Sequence, residues 1–382
     1  MFDFYLNTKV KFGCGVRKTI TEVLQIEKWN RIGVVVDHNL LELPIIKKFI
    51  DQLQRSIDFL VVVECSISEP TYDALENMRC QFSDPTMQAV IGIGGGSALD
   101  MAKAMAVLVH NRKPAIEYRG FDKMTEPVLP ILAIPTTAGT GSEVTPNASF
   151  IDSLEKKKMG INGEAVMPRY AIIDPELTLS CPKGPTISAA ADSMVHATEA
   201  YVANKTNPIA RLFAGEGFHR VFNALPQLIN DLENIDLRQE IMYGAFLSGI
   251  ALMHSGTGPA AAMSYPLGVH YKVPHGLGGG IFLPYVVEYN ISQGYVDYVG
   301  LYDKIEGYKI ETAQNLLERL FNLWNQLNIP TDLCFCGLQK SGIDFFIKET
   351  MELKGALDQN PVPFYENEIN SILEILTGGS NG

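Results

Sequence analysis

The chain has 382 residues, 46% of them apolar, which is enough for two ordinary hydrophobic cores. With 31 Lys and Arg against 43 Asp and Glu, its formal net charge is −12, and its densest basic run is only Lys156–Lys158, so a nucleic-acid partner is excluded. No stretch of about 18 apolar residues is present to span a membrane, and Met1–Leu6 lacks the basic and apolar regions of a secretion signal, so a cytoplasmic protein with no membrane partner is expected.

Asn7–Gly15 reads as an entering strand that Gly13 and Gly15 turn. Downstream, Val34–Val36, Phe59–Val63, Val90–Ile93, Ile131–Ile134 and Ala171–Ile173 are apolar runs of strand length. Between them, Thr19–Glu27, Pro44–Leu53, Thr71–Arg79 and Ala98–His110 carry helical spacing. This alternation predicts a parallel sheet with helices on its faces. Asp174–Pro175 and Pro182–Pro185 then punctuate the chain, and strand signals nearly vanish. Ile187–Asn204, Ile209–Leu225, Leu237–His254 and Thr312–Leu327 are helical in pattern. The expectation is an α/β, Rossmann-like domain over residues 1–180 and an all-α domain over residues 181–382. Six scattered cysteines, with Cys334 and Cys336 the sole close pair, make no disulfide or zinc framework and suit a reducing compartment.

Two glycine-rich stretches carry the first chemical signal. Gly92–Asp100 and Pro135–Glu143 each follow a buried-strand pattern, and the first runs into a helical one. Glycines there let backbone N–H groups crowd an anion at a helix N-terminus, so the pair suggests a pyrophosphate held from two sides. The common dinucleotide fingerprint is absent: position 97 is Ser where its last glycine belongs, and no acid follows at the usual distance. An acid lies upstream instead, at the end of the run Ile32–Asp37. Asp37 can accept from a ribose hydroxyl and would repel a 2′-phosphate, which favours NAD; a helix-capping Asp is the plain alternative.

The chain resembles the iron-containing (group III) alcohol dehydrogenases. The matching pieces are Gly94-Gly-Gly-Ser-x-x-Asp100-x-x-Lys103, Pro135-Thr-Thr-x-Gly-Thr-Gly-Ser-Glu143-Val-Thr145, Asp174-Pro-Glu-Leu-Thr178, Asp192-x-x-x-His196-x-x-Glu199-Ala-Tyr201, Pro266-Leu-Gly268, Pro274-His-Gly276 and Asn360-Pro-Val-Pro363. They run in order over essentially the whole chain. The resemblance implies the group III fold, which dehydroquinate synthase shares, and a homodimer. It also implies NAD contacts from Gly94, Gly95, Gly96, Ser97, Thr136, Thr137 and Ser142, a set to which Asp100 and Lys158 are added.

The same resemblance points to a metal. Asp192 and His196 are four apart on one helical face, and His275 follows a proline and precedes a glycine turn. One carboxylate and two imidazoles suit Fe(II) or Zn(II); on spacing alone Asp192 and His196 could equally be a helical ion pair. These three match three of the family's four usual ligands, but the fourth position is Ala261, and a further substrate-side histidine is replaced by Tyr265. Three readings stay open. The metal is held by Asp192, His196 and His275 with a water or substrate oxygen. Or His254, two turns before Ala261 on the same helical face, or His270, in the loop before His275, becomes the fourth ligand. Or there is no catalytic metal, and Tyr265, His270 or His254 takes the hydroxyl proton.

The implied activity is NAD-dependent oxidation of a primary alcohol, or reduction of the aldehyde, on a small-molecule alcohol or sugar acid. The run Ser255–Gly279 is similar to the branch of 3-deoxy-D-manno-octulosonate 8-oxidases of lipopolysaccharide sugar biosynthesis, for which Lys272 would meet the substrate carboxylate. A phosphate-binding lyase or glycerol-phosphate dehydrogenase of the same fold class needs a basic cluster. Between Asp192 and Val273 only Lys205, Arg211, Arg220, Arg238 and Lys272 are basic. A general alcohol or polyol dehydrogenase, and a non-catalytic NAD-binding protein that lost its metal, are the remaining alternatives.

Overall fold

The described strands all lie in the N-terminal half: β1 (Lys9–Phe12), β2 (Arg31–Asp37), β3 (Phe59–Cys65), β4 (Ala89–Gly94), β5 (Gly120–Phe121), β6 (Ile131–Pro135), β7 (Asn147–Asp152), β8 (Lys157–Asn162) and β9 (Tyr170–Ile173), the five apolar runs becoming β2, β3, β4, β6 and β9. The computed structural model describes residues 1–66, 69–82, 84–305 and 312–378. Six of the strands form one sheet in the order β1-β9-β6-β4-β2-β3, with every pairing parallel. Helices α1 (Ile20–Glu27), α2 (Pro44–Ser56), α3 (Tyr72–Arg79) and α4 (Gly96–Leu108) alternate with its strands.

The period-two geometry of β2 explains the layering. Val34 and Val36 join Ile20, Leu24, Phe49 and Leu53 in one core, while Val35 joins Leu75, Met78 and Met105 in another. Both faces are therefore covered, as a parallel sheet requires. A second sheet, of order β5-β8-β7, has an antiparallel β7–β8 pair; its short, half-polar strands leave no clear apolar signal in the sequence.

Every element described from residue 182 onward is helical. These are α5 (Lys183–Val202), α6 (Pro208–Leu228), α7 (Ile235–Ser255), α8 (Pro259–Tyr271), α9 (His275–Ser292), α10 (Val299–Tyr302), α11 (Ala313–Leu327), α12 (Ile343–Met351), α13 (Lys354–Leu357) and α14 (Glu366–Thr377). None of the described helices is long and apolar enough to cross a membrane. One continuous core, from Ile187 to Leu376, fills this part, and Trp324 at its centre donates from Nε1 to the Gly280 carbonyl at 2.6 Å.

Contacts divide the chain into two compact units. One comprises Tyr5–Thr137 with Ser142–Cys181; the other comprises Pro182–Gly382 together with Met1–Phe4 and Ala138–Gly141. The four-residue loop joins the helical unit through its glycines. A Cβ at Gly139 would fall 2.3 Å from the Ala189 carbonyl oxygen, and one at Gly141, whose φ is 66°, would fall 2.5 Å from Gly249 Cα. Both obstacles are backbone and cannot swing aside. Gly139→Ala is therefore expected to destabilise by about 1–3 kcal/mol, read as a lowered midpoint of thermal unfolding; an unchanged midpoint would contradict the tight seat of this loop.

Candidate metal centre and nucleotide loop

Helix α5 presents Asp192, His196 and Glu199 at steps of four and three, on one face. All three are buried. His275 is the first residue of α9, and its neighbour explains how it reaches them. A Cβ at Gly276 would lie 2.3 Å from the Ser188 carbonyl oxygen and 2.7 Å from Asp192 Cβ. Only glycine lets α9 start against the backbone of α5. Gly276 thus lies within the helix rather than in the turn expected from the sequence.

His196 Nε2 lies 3.5 Å from Asp192 Oδ1, and His275 Nε2 lies 3.9 Å from the same oxygen. One donor atom from each residue falls within 4.8 Å of the others. Ligands about 2.1 Å from a tetrahedral ion stand about 3.4 Å apart, so the three atoms are spaced to share one ion. The donor set fits: a carboxylate supplies charge and two imidazoles supply nitrogen. His196 Nδ1, on the far side of its ring, is buried without a hydrogen-bond partner.

The two histidines considered as substitutes for a ligand at position 261 stand elsewhere. The cluster formed among the described residues is Asp192, His196 and His275. His254 is near the end of α7, and Gly256, at φ 85°, breaks the chain before α8 begins. His254 and Ala261 are therefore on different helices, not one face of the same one. The His254 ring stacks on Phe4 at 4.3 Å. His270 is in the last turn of α8 rather than in a loop, 3.4 Å from Glu349 Oε2 and edge-on to Phe345. Tyr265 is edge-on to His275, with ring centroids 5.1 Å apart. Lys272 caps α8 in the left-handed conformation, and its ammonium donates to the Val269 carbonyl at 3.3 Å.

Glu199 has a different task. Its carboxylate accepts from the backbone N–H groups of Gly258, Ala260 and Ala261 at 2.7, 2.7 and 3.2 Å. It caps the start of α8 from α5 and fixes the helix that carries Ser264 and Tyr265. In the sequence Glu199 belongs to the Asp192–Tyr201 motif, whose spacing carries no sign of this capping role. Ser264, which lies inside the run Ser255–Gly279 with no pattern of its own, has its hydroxyl 2.6 Å from His275 Nδ1.

In the sheet unit, the strand–glycine–helix pattern ends where expected. Gly94 closes β4 at φ 152°, and a Cβ there would meet Asp37 Cβ at 2.9 Å. Asp37 thus abuts the glycine loop, while its Oδ1 accepts from Asn39 N at 2.9 Å, the capping role weighed for it. Gly95 is the N-cap of α4, and no side chain caps that helix. Thr136 N donates to the Gly94 carbonyl at 2.9 Å, and Thr137 Oγ1 stands 3.2 Å from where a Gly95 Cβ would be. The loop thus gathers Gly94, Gly95, Gly96, Ser97, Thr136, Thr137 and Asp37.

Three of the expected cofactor residues are engaged inside the unit. Asp100 accepts from Ser142 Oγ at 2.7 Å and from Ser149 N at 2.9 Å. Lys158 Nζ donates to Glu69 Oε2 at 2.7 Å. Beside Asp100, fully buried Lys103 donates to the carbonyls of Thr145 and Asn147. Burial pushes the Asp100 and Glu143 carboxyls up and draws the Lys103 ammonium down to about 8.

Comparison with known proteins gives consistent matches. Residues 7–175 match the iron-containing alcohol dehydrogenase family, and residues 186–377 match the C-terminal part of the Fe-containing alcohol dehydrogenase family. The chain is 31% identical over 276 residues to an NAD-dependent methanol dehydrogenase of Bacillus methanolicus, covering 71% of this chain and 72% of that one. It is 29% identical over 357 residues to long-chain-alcohol dehydrogenase 1 of Geobacillus thermodenitrificans, covering 91% and 90%. The solved structure of an alcohol dehydrogenase from Oenococcus oeni shares the fold with a TM-score of 0.91 at 25% identity, covering 98% of this chain and 100% of that one.

Burial, opposed by the three N–H donors, pushes the Glu199 carboxyl from 4.5 up to about 7. The folded chain then keeps a proton that the unfolded chain releases, so this group's contribution to stability falls as pH rises from about 4.5 through 7. Glu199→Gln should flatten that slope in chemical denaturation at a series of pH values. It should also cost about 1–3 kcal/mol, because an amide N–H would face a backbone N–H. A slope that persists in the variant would rule out Glu199 as its source.

Proposed function

The chain belongs to the iron-containing alcohol dehydrogenase family, and we propose that it oxidises a primary alcohol, or reduces the matching aldehyde, with NAD and one divalent metal ion. That it is an oxidoreductase of CH–OH groups follows from its relatives. The observation that carries the finer reading is the convergence of one donor atom each from Asp192, His196 and His275 within 4.8 Å, with both Nε2 atoms facing Asp192 Oδ1.

When bound, an iron(II) or zinc(II) ion supplies Lewis acidity toward a substrate hydroxyl, and NAD supplies the hydride acceptor. The chain's own part is to hold and orient them. Asp192, His196 and His275 would hold the ion; burial of the first two keeps water from that side. Three protein donors leave room for a substrate oxygen, the usual arrangement of a catalytic rather than a structural site. Tyr265, in ring contact with His275, takes the proton-handling role beside the metal in this reading.

For the nucleotide, the uncapped start of α4 and the backbone of Gly94–Ser97 would receive the pyrophosphate, with Thr136 and Thr137 alongside. Asp37, against Gly94, would accept from the ribose and disfavour a 2′-phosphate. Asp100, Ser142 and Lys158 fit a supporting role, since their polar atoms meet protein partners. The specific substrate candidate, C8 of 3-deoxy-D-manno-octulosonate, is supported by the run Ser255–Gly279, with Lys272 offering the cation for its carboxylate. General alcohol and polyol turnover is equally consistent with the relatives, and an NAD-linked assay over short alcohols, polyols and this sugar acid separates the two.

Elemental mass spectrometry of protein purified without a metal-affinity step should find about one equivalent of iron or zinc per chain. Asp192→Ala should lose that metal and more than about 100-fold in turnover. Full turnover without metal would overturn the mechanism. In a separate test, Asp37→Gly should shift the kcat/KM ratio of NAD over NADP by about tenfold toward NADP, about 1.4 kcal/mol. An unchanged ratio would remove Asp37 from cofactor choice.

A further inference from the structure

We infer that Ser264 is a positioning residue for the metal centre: its hydroxyl holds the His275 ring proton on Nδ1 and so leaves Nε2 as the ligand atom. The inference rests on the metal-assisted reading above for its purpose, but not for its geometry.

Ser264 Oγ makes two contacts of 2.6 Å, one to the Ala261 carbonyl oxygen and one to His275 Nδ1. A hydroxyl has one proton, and a carbonyl oxygen can only accept. If Ser264 gave its proton to His275, two oxygen acceptors would face each other at 2.6 Å with no hydrogen between them. Both contacts are satisfied in one arrangement alone. Ser264 donates to Ala261, and Nδ1–H of His275 donates to a lone pair of Ser264. A neutral imidazole carries its proton on one nitrogen, so Nε2 is bare. Nε2 is also the atom that faces Asp192 Oδ1 at 3.9 Å.

The surroundings hold this arrangement. Ser264 is fully buried, so water does not compete for its hydroxyl. Its Cβ is closed in by α9: a Cβ at Gly278 would lie 3.2 Å away. The Ala261 carbonyl is one turn back along the same helix, and the N–H of Ala261 is held by Glu199 at 3.2 Å. The chain of contacts therefore runs from Glu199 on α5, through the first turn of α8, to the ring on α9. Histidine ligands are commonly oriented by a partner on the second ring nitrogen. Here His275 has one and His196 does not, since His196 Nδ1 is buried without a partner. The preset tautomer is thus specific to the ligand that arrives from outside α5.

The test uses the full chain, stripped of metal and carrying 15N-labelled histidine. Long-range 15N–1H correlation spectra are recorded above pH 8, with the His275 signals identified by their loss in His275→Ala. Wild type should show a protonated Nδ1 and a bare Nε2 at His275; Ser264→Ala should shift the proton toward Nε2. In parallel, Zn2+ affinity measured against a competing chelator should weaken by about 10- to 100-fold in Ser264→Ala. A purely structural serine would alter the melting temperature and leave the tautomer alone. A proton on Nε2 in wild type, or the same tautomer and the same Zn2+ affinity in the variant, would overturn the inference. Wild type that keeps Nδ1–H but binds none of Zn2+, Co2+ and Fe2+ would instead overturn the metal-assisted reading while leaving the tautomer assignment in place.

Discussion

The carboxylate of Glu199 pins the helical unit at the point where its chemistry begins. Three backbone N–H groups at the start of α8 converge on it from one side, and α5, which carries it, also carries Asp192 and His196 on the same face. A helix start leaves several N–H groups without partners, and burying them unpaired would be costly. A single side chain from a neighbouring helix answers three at once. The entry of α8 is thereby registered against α5, and the position of everything on α8, Ser264 and Tyr265 included, is measured from the helix that carries two of the three proposed ligands.

The sheet unit solves an analogous problem with a different device. There Gly95 is the N-cap of α4, and no side chain caps that helix. Its loop after β6 is instead held from within by Asp100, Lys103 and Glu143, buried charges whose ammonium lies 4.0 Å from Asp100 and meets two carbonyls. Buried charge of this kind contributes little net stability compared with apolar packing, but breaking one partner is expensive. The two units thus use polar interior groups differently: one satisfies a helix terminus, the other ties down the loop after β6.

The central strands β2, β4, β6 and β9 are legible because each is a short, buried apolar run; Val90–Ile93 and Ile131–Ile134 need no tertiary context to be seen. Amphipathic α2 and α11 were legible from their period. Helices α8 and α9 were not. Both are buried nearly all round, and they contain Pro266, Gly268, Gly278 and Pro284 within their span, residues that ordinarily argue for loops. Their glycines answer a packing demand, as Gly276 against Ser188 shows, which no local pattern encodes. The misplacement of His270 in a loop and of His254 on the helix of Ala261 both come from this. Asp192, His196 and His275 were recognised through motif resemblance, whereas the bond from Ser264 to His275 spans eleven residues and two helices and emerges only when the helices are packed.

The chain passes from one unit to the other four times, at residues 4, 137, 141 and 181. Neither unit is therefore a continuous segment. A fragment cut after Cys181 would carry the long helices but lack the loop seated against Ala189 and Gly249, and the Phe4 ring that stacks on His254 and Phe213. Recombination between relatives meets the same obstacle. A crossover placed at the obvious boundary would pair one parent's Ala138–Gly141 loop with the other parent's α5 and α7, a contact with no room for an added methyl group. Successful chimeras would have to exchange Met1–Phe4, Ala138–Gly141 and the chain from Pro182 onward together, so the two halves of this fold are expected to be inherited as one.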